Sequence, residues 1–326
     1  MMSNPAFALI VGGALFGLAG CTAAPAERPV ARPTFIPETP TSVATATATT
    51  EATPGTPSSA TRTPPTPLPT LEADPAVILP DPALAVLLEE LIDGSQESYG
   101  IYVKNLADGT GASINRDRVF HAASLFKLYV MWEAFRQEAM GSISFDDTME
   151  VTPYYKSWEL GTNAVEVGDL VTVDEALRLM MSISDTPSAV LLQDTLGASD
   201  INDALEELDI HNSGLFYPGN PLATARDVGV LLETIVRGGI LPEASHEGMV
   251  ELLMSARTDN GLRAGVPAEI RVAHKTGSLP MALHDAGIVY LPDSAYILVV
   301  LWDRKGDVSM IELISRRVFE FYEAHD

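Results

Sequence analysis

The sequence predicts an α/β chain of the α+β kind. An antiparallel five-stranded sheet is flanked by terminal helices, and an all-helical lobe is inserted into it. Three observations carry this. Strand-like runs rich in Val, Ile and Tyr occur near both ends of residues 76–326. The hydrophobic period changes at Leu125 from two to steps of three and four. Helical stretches then follow one another until the strands return.

Taken in order, Asp81-Pro82 opens an apolar helix over 83–92, and Asp93-Gly94 stops it. Two strands are predicted at 99–106 and 112–115, joined by the Asp108-Gly109 turn. Leu125, Leu128, Tyr129, Trp132 and Phe135 lie on one face of an amphipathic helix whose stripe belongs to the core. Helices are expected at 172–183, 187–196, 200–208, 224–237 and 244–255. Strands follow at 270–275, 285–291 and 295–302, and Ile311, Ile314, Val318 and Phe321 mark a last helix. A cleft between sheet and lobe is the default place for a site.

The chain has 326 residues, a formal net charge of −24 and one cysteine. Its first 75 residues hold 3 Lys+Arg and 5 Asp+Glu, which leaves 17 against 39, a net −22, in residues 76–326. So acidic a body repels phosphate backbones, so no nucleic-acid partner is expected. A single Cys rules out an internal disulfide framework and zinc sites built from several cysteines. No metal and no cofactor are expected. Residues 6–19 form an apolar run too short to span a bilayer, and Leu18-Ala19-Gly20-Cys21 follows. That tetrapeptide resembles the bacterial lipobox, which implies a lipoprotein signal peptide over 1–20 and lipidation of Cys21. The segment before it, residues 1–5, contains no Lys or Arg. The expected address is extracytoplasmic, lipid-anchored to the membrane, or secreted if Cys21 is not lipidated. Residues 22–75 include 12 Pro, 14 Thr and 10 Ala, so 21–75 reads as a disordered linker. The folded body is 76–326.

Three short motifs stand around the expected cleft. Ser124 and Lys127 begin the amphipathic helix, and a three-residue step puts hydroxyl and amine on one face. Ser184-Asp185-Thr186 lies 60 residues after Ser124, at the end of the apolar run 176–183. Lys275-Thr276-Gly277 ends the strand 270–275, with Ser278 after it. Each alone fits a capping residue, a solvated lysine or a turn; the order and placement of all three point to one site.

In that order the motifs resemble those of the serine β-lactamases and penicillin-binding DD-peptidases, Ser-x-x-Lys, Ser-Asp-Asn and Lys-Thr-Gly. The segments 169–192 and 261–277 look most like class A β-lactamases. The resemblance covers essentially all of 76–326 and implies an acyl-serine mechanism. It makes Ser124 the nucleophile and Lys127 its proton acceptor, with Ser184 passing a proton to the leaving nitrogen. It gives Lys275 a positioning role and an attraction for the substrate carboxylate, and Thr276 a hydroxyl that binds that carboxylate. Gly277, Asp185 and Thr186 join the substrate-binding set. The oxyanion hole falls to the backbone N–H groups of Ser124 and Ser278. A lysine serves as base only when its pKa drops toward neutrality, and burial beside Lys275 acts in that direction.

Two departures bear on the reaction. Thr186 stands where the family has Asn. The stretch 211–227 lacks the Glu that activates the deacylating water in class A enzymes, and Glu166 comes 18 residues before Ser184, too early to be that residue. His211, Tyr217 and Asn220 lie in this replacement loop, His211 in a surface or structural role. Without a general base worth about 10²–10⁴ in rate, deacylation should be slow. His284-Asp285 is not read as part of a Ser-His-Asp triad, because no G-x-S-x-G elbow exists. His274 points away from Lys275 by strand period and packs. Arg263 is expected in a structural ion pair.

The first reading is therefore a class A-like serine hydrolase taking β-lactams or related amides. A DD-peptidase-like penicillin-binding enzyme acting on D-Ala-D-Ala peptidoglycan peptides is the second. The third is a non-catalytic envelope-binding module, against which the four intact polar residues Ser124, Lys127, Ser184 and Lys275 argue.

Overall fold

The computed structural model describes residues 74–216, 220–303 and 307–324; Cys21, the linker assignment and Tyr217 lie outside them. In chain order the strands are β1 (Leu79–Pro80), β2 (Tyr99–Asn105), β3 (Thr110–Ile114), β4 (Phe120–His121), β5 (Thr148–Glu150), β6 (Leu170–Thr172), β7 (Leu222–Ala223), β8 (Arg271–Leu279), β9 (Ala282–Tyr290) and β10 (Ala295–Trp302). The helices are α1 (Pro82–Leu91), α2 (Phe126–Ala139), α3 (Pro153–Lys156), α4 (Val173–Ser182), α5 (Thr186–Leu196), α6 (Ala198–Glu206), α7 (Ala225–Arg237), α8 (Glu243–Met254) and α9 (Ser309–Glu323).

The main sheet runs β1-β3-β2-β10-β9-β8. Its five long strands pair antiparallel, as expected, and the two-residue β1 adds a parallel sixth against β3. Distant parts of the chain complete it: β10 pairs with β2 through Val299↔Tyr102 and its neighbours. Period-two alternation sorts the side chains between two cores. Tyr102, Ala273, Ile288, Ile297 and Val299 face the helical lobe and its α2 core, with Leu128, Met131 and Trp132. Ile101, Val103, Val289, Leu298 and Val300 face α1 and α9, with Leu84, Leu88, Ile314 and Val318. Each such side chain taken out of water contributes about 1.5–3 kcal/mol.

Caps set the helix boundaries the motifs depend on. Asp81 accepts hydrogen bonds from Ala83 N and Leu84 N, both at 3.0 Å, with Pro82 opening α1. Thr172 caps α4 through Glu175 N, and Thr224 caps α7 through Asp227 N, each at 3.1 Å. The helix expected to start at Leu125 begins with a 3₁₀ turn over Ala123–Leu125. The strand expected to end at Lys275 continues to Leu279, because its partner β9 starts at Ala282 and pairs with every residue between. Lys275, Thr276 and Gly277 therefore lie inside a sheet-edge strand, not at a strand end.

A buried ion pair joins sheet to lobe. Lys104 on β2 and Glu233 on α7 are both 0 % exposed, with Nζ and Oε2 2.8 Å apart. Arg237 Nε also donates to Glu233, at 2.7 Å. Lys104 Nζ and Tyr102 Oη donate to the Pro75 carbonyl at 3.0 and 3.1 Å, which ties the start of the described body to the sheet. Removing one charge of a buried pair strands the other, so Glu233→Gln should lower the unfolding free energy by about 3–5 kcal/mol in urea titration. A loss under about 1 kcal/mol would show the pair contributes nothing beyond a surface bridge.

Candidate active site

Ser124 sits in the 3₁₀ turn that leads into α2, half-buried, while Lys127 in the first turn of α2 is fully buried. The residue before the serine, Ala123, has φ 48°, a left-handed conformation uncommon for a side-chain-bearing residue. Strand β8 comes up against this turn at Gly277. A Cβ there would lie 3.2 Å from Ala122 O and Ala123 Cβ, and 3.3 Å from Ser124 N. The glycine thus permits the close backbone approach that brings the Ser124 amide beside the Gly277-Ser278 backbone.

Ser184 lies between α4 and α5, half-buried, with φ 60°. Its hydroxyl is flanked by two amines. Lys127 Nζ is 3.1 Å from Ser184 Oγ and Lys275 Nζ is 2.9 Å from it. Lys127 also donates to Ser184 O at 2.5 Å and to Thr186 Oγ1 at 3.4 Å, and Lys275 donates to Thr276 O at 2.8 Å. Among the described residues Lys127 makes no hydrogen bond to Ser124. The expected direct meeting of hydroxyl and amine gives way to the facing loop, whose carbonyl and hydroxyls take up the amine's bonds. Burial lowers the Lys127 pKa to about 7, assisted by the Lys275 charge and opposed by Asp185. Burial lowers Lys275 to about 8 against the pull of Asp285. Two like charges stripped of water disfavour each other, so near neutrality the pair holds less than two protons' worth of charge.

Asp185 is placed differently from the sequence expectation. Its carboxylate is 0 % exposed and accepts from Ser188 N at 2.8 Å and Ser188 Oγ at 2.6 Å, capping α5. It also accepts from the Thr162 hydroxyl. A side chain so enclosed cannot reach a substrate, so its assignment to the substrate-binding set is corrected. Thr186 does border the site through Lys127.

On β8 the register turns Thr276 and His274 to the α9 side of the sheet, away from Lys275 and Gly277. There Thr276 and Ser278 line a cavity of about 200 Å³ with Thr258, Asn260, Leu283 and Ile311. His274 is buried, its Nδ1 2.9 Å from Asp285 Oδ1. Burial alone would lower its pKa, but the Asp285 charge and hydrogen bond outweigh that and raise it. Asp285 Oδ2 accepts from Leu262 N at 2.8 Å. His284 serves the backbone: Trp302 N–H donates to Nδ1 at 3.1 Å, which leaves Nε2–H to donate to His121 O at 2.8 Å. Burial lowers its pKa. Since Asp285 binds His274 and not His284, no Ser-His-Asp arrangement exists there.

The replacement loop brings no carboxylate to the lysines. His211 is exposed and pairs with Asp209 at 2.9 Å, and Asn220 is exposed. Asp227 is 1 % exposed and accepts from Ser213 Oγ at 2.9 Å, Asn212 N at 3.1 Å and Arg226 at 3.0 Å. Among the described residues Arg263 forms no ion pair; it donates to Pro267 O and Ala268 O, because the turn after it presents carbonyls. Among the described residues no group of three or more His, Cys, Asp and Glu side chains could hold a metal. Sequence reasoning missed Thr162 and Glu159, whose contacts depend on a loop fold that spacing does not reveal.

With this geometry in hand, similarity to known proteins becomes specific. A family model described as the β-lactamase enzyme family matches residues 83–322. The β-lactamase VEB-1 of Pseudomonas aeruginosa is 22 % identical over 241 residues, covering 66 % of this chain and 80 % of that protein. The structure of PBP-A superimposes with a TM-score of 0.71 at 25 % identity, covering 76 % of this chain and 98 % of PBP-A. A mutant of PBP-A, solved as an acyl-enzyme complex with penicillin G, matches with the same TM-score, identity and coverage. An ancestral class A β-lactamase of Gram-negative bacteria matches at 0.67 and 25 %, covering 73 % of this chain and 99 % of that one. The chain belongs to the β-lactamase enzyme family, within the serine β-lactamase and penicillin-binding superfamily and close to class A.

Proposed function

We propose that this protein is a serine hydrolase acylated at Ser124 by β-lactams or related amides, and that it releases the acyl group slowly. The observation that carries this is the Ser184 hydroxyl held between the Lys127 and Lys275 amines beside the Ser124 turn. As Ser124 Oγ attacks the carbonyl carbon, neutral Lys127 takes its proton. The oxyanion lies against the Ser124 and Ser278 backbone N–H groups, where each donor supplies about 10²–10³ in rate. When the C–N bond breaks, Ser184 gives its proton to the leaving nitrogen and is reprotonated from Lys127, so the net transfer is one proton from Ser124 to the amine product. Lys275, as the ammonium, donates to Ser184 Oγ and favours a carboxylate on the substrate. Thr276, turned to the opposite face of β8, is not given the carboxylate-binding role that the resemblance implied.

Slow release follows from the missing base. The loop acids Asp209 and Asp227 are engaged with Arg226, His211 and Ser213. The same absence supports a second reading, a DD-peptidase-like penicillin-binding enzyme that uses Lys127 and Ser184 in both half-reactions. We place either enzyme outside the cytoplasm, held to the membrane by an acyl-modified Cys21; the Leu18-Ala19-Gly20-Cys21 sequence supports this.

Incubation with a fluorescent penicillin separates these readings. Label that appears and decays identifies a β-lactamase, persistent label a penicillin-binding enzyme, and no label a binding module; Ser124→Ala should abolish labelling in the first two cases. The acylation rate should rise with pH through about 7 as Lys127 loses its proton, and fall above about 8 as Lys275 loses its own. Stopped-flow acylation from pH 5 to 10 checks this, and a flat profile would remove Lys127 as base; Lys127→Ala should cost about 10²–10⁴ in rate. Radioactive palmitate should label the wild type and not Cys21→Ala; equal label in both would remove the anchor.

A further inference from the structure

The loop between α3 and β6 is built around a carboxylate. Glu159 Oε1 accepts from Gly161 N and Asn163 N, both at 2.9 Å, and lies 2.9 Å from Thr162 Oγ1. Burial of Glu159 would raise its pKa, but these donors and Lys156 hold it at about 2. Lys156 closes the loop, donating to Asn163 Oδ1 at 3.0 Å, Val165 O at 2.7 Å and Glu166 at 3.3 Å. All this fixes one hydroxyl, that of Thr162, which lies between Glu159 and Asp185 and hydrogen-bonds the Asp185 carboxylate. Thr162 has a single proton to place between two acceptors.

Asp185 carries that constraint onward. It is fully buried and immediately follows Ser184, whose left-handed backbone at φ 60° must be held by its surroundings. In this conformation Ser184 O accepts from Lys127 at 2.5 Å while its hydroxyl lies within 3.1 Å of both amines. The charged groups bearing on Lys127 are Lys275 from β8 and Asp185 itself. We infer that Thr162 is a positioning residue for Ser184 and Lys127, acting through the Asp185 carboxylate. This rests on the reading that Ser184 and Lys127 move the protons of acylation. Thr162 touches neither of them; it supplies the proton that holds Asp185 Oδ1 in place and takes up part of its charge.

The test compares Thr162→Val, which keeps the shape and removes the donor, with Thr162→Ser, which keeps the donor, both in the full chain. Thr162→Val should slow the fluorescent-penicillin acylation step by about 10- to 100-fold without weakening the preceding binding step, since a small misplacement of reacting groups costs that much. With no donor on Oδ1, Asp185 presents more charge to Lys127, so the rising limb of the pH profile should move up by about one pH unit. Thr162→Ser should restore both. The Lys127 titration, followed by NMR in ¹³Cε-lysine-labelled protein, should show the same upward shift. It needs no reaction, so failure of the wild type to take label would sink the hydrolase reading while the titration still decided this one. Wild-type rates and titration in Thr162→Val, or equal impairment in Thr162→Ser, would overturn the inference. If Thr162→Val does not fold, Thr162→Ala replaces it, removing the same donor; an upward shift of the Lys127 titration supports the inference, and none overturns it.

Discussion

Two ammonium groups that share a space excluding water disfavour each other's charge, and the site depends on this constraint. Lys127 and Lys275 are 0 % and 2 % exposed, and they converge on one hydroxyl. Desolvation penalises each charge and their mutual repulsion adds to it, so the pair is driven to share fewer protons. A lysine in water is almost wholly protonated at physiological pH, so a neutral amine beside an alcohol requires a lowered pKa of this kind. Here it arises from burial, assisted by the Lys275 charge.

The fold supplies this by bringing together three segments far apart in sequence. Helix α2 presents Lys127 from the lobe, the α4–α5 junction presents Ser184, and the edge strand β8 presents Lys275 from the sheet. Each comes from an element whose ends are fixed: α5 by the Asp185 cap, β8 by pairing along its length with β9. The Lys104–Glu233 pair and the Tyr102 stripe lock sheet to lobe, so the two halves of the cleft hold one spacing. A small relative shift would separate the amines and remove the Lys275 charge from Lys127, leaving burial alone to lower its pKa.

Much of this was legible in the sequence, and the exceptions are informative. The strands, the main helices and the order of the three motifs could be read because period and capping are local properties. Asp185 could not be placed, since its burial depends on Thr162, 23 residues away and brought near only by the folded loop. That Lys127 bonds Ser184 and not Ser124 follows from the facing loop, whose carbonyl and hydroxyl lie 2.5 and 3.1 Å from the amine and belong to a segment the local sequence does not bring near. The strand beyond Lys275 escaped notice because Gly277 and Ser278 are poor strand formers, kept extended by their β9 partners. Arg263 was expected to seek a carboxylate; the nearest acceptors were carbonyls of its own turn.

Sheet order has a practical corollary. Strand β8, beside the Ser124 turn, is one edge of the sheet, and β1, a few residues from Pro75, is the other. A resin, sensor chip or fusion partner grafted upstream of residue 74 would thus be joined at the margin remote from Ser124, leaving small molecules free to diffuse in from bulk solvent. The tip between β8 and β9 is the wrong place for such a handle, because a graft at Pro280 or Met281 would extend from the same edge strand that carries Lys275.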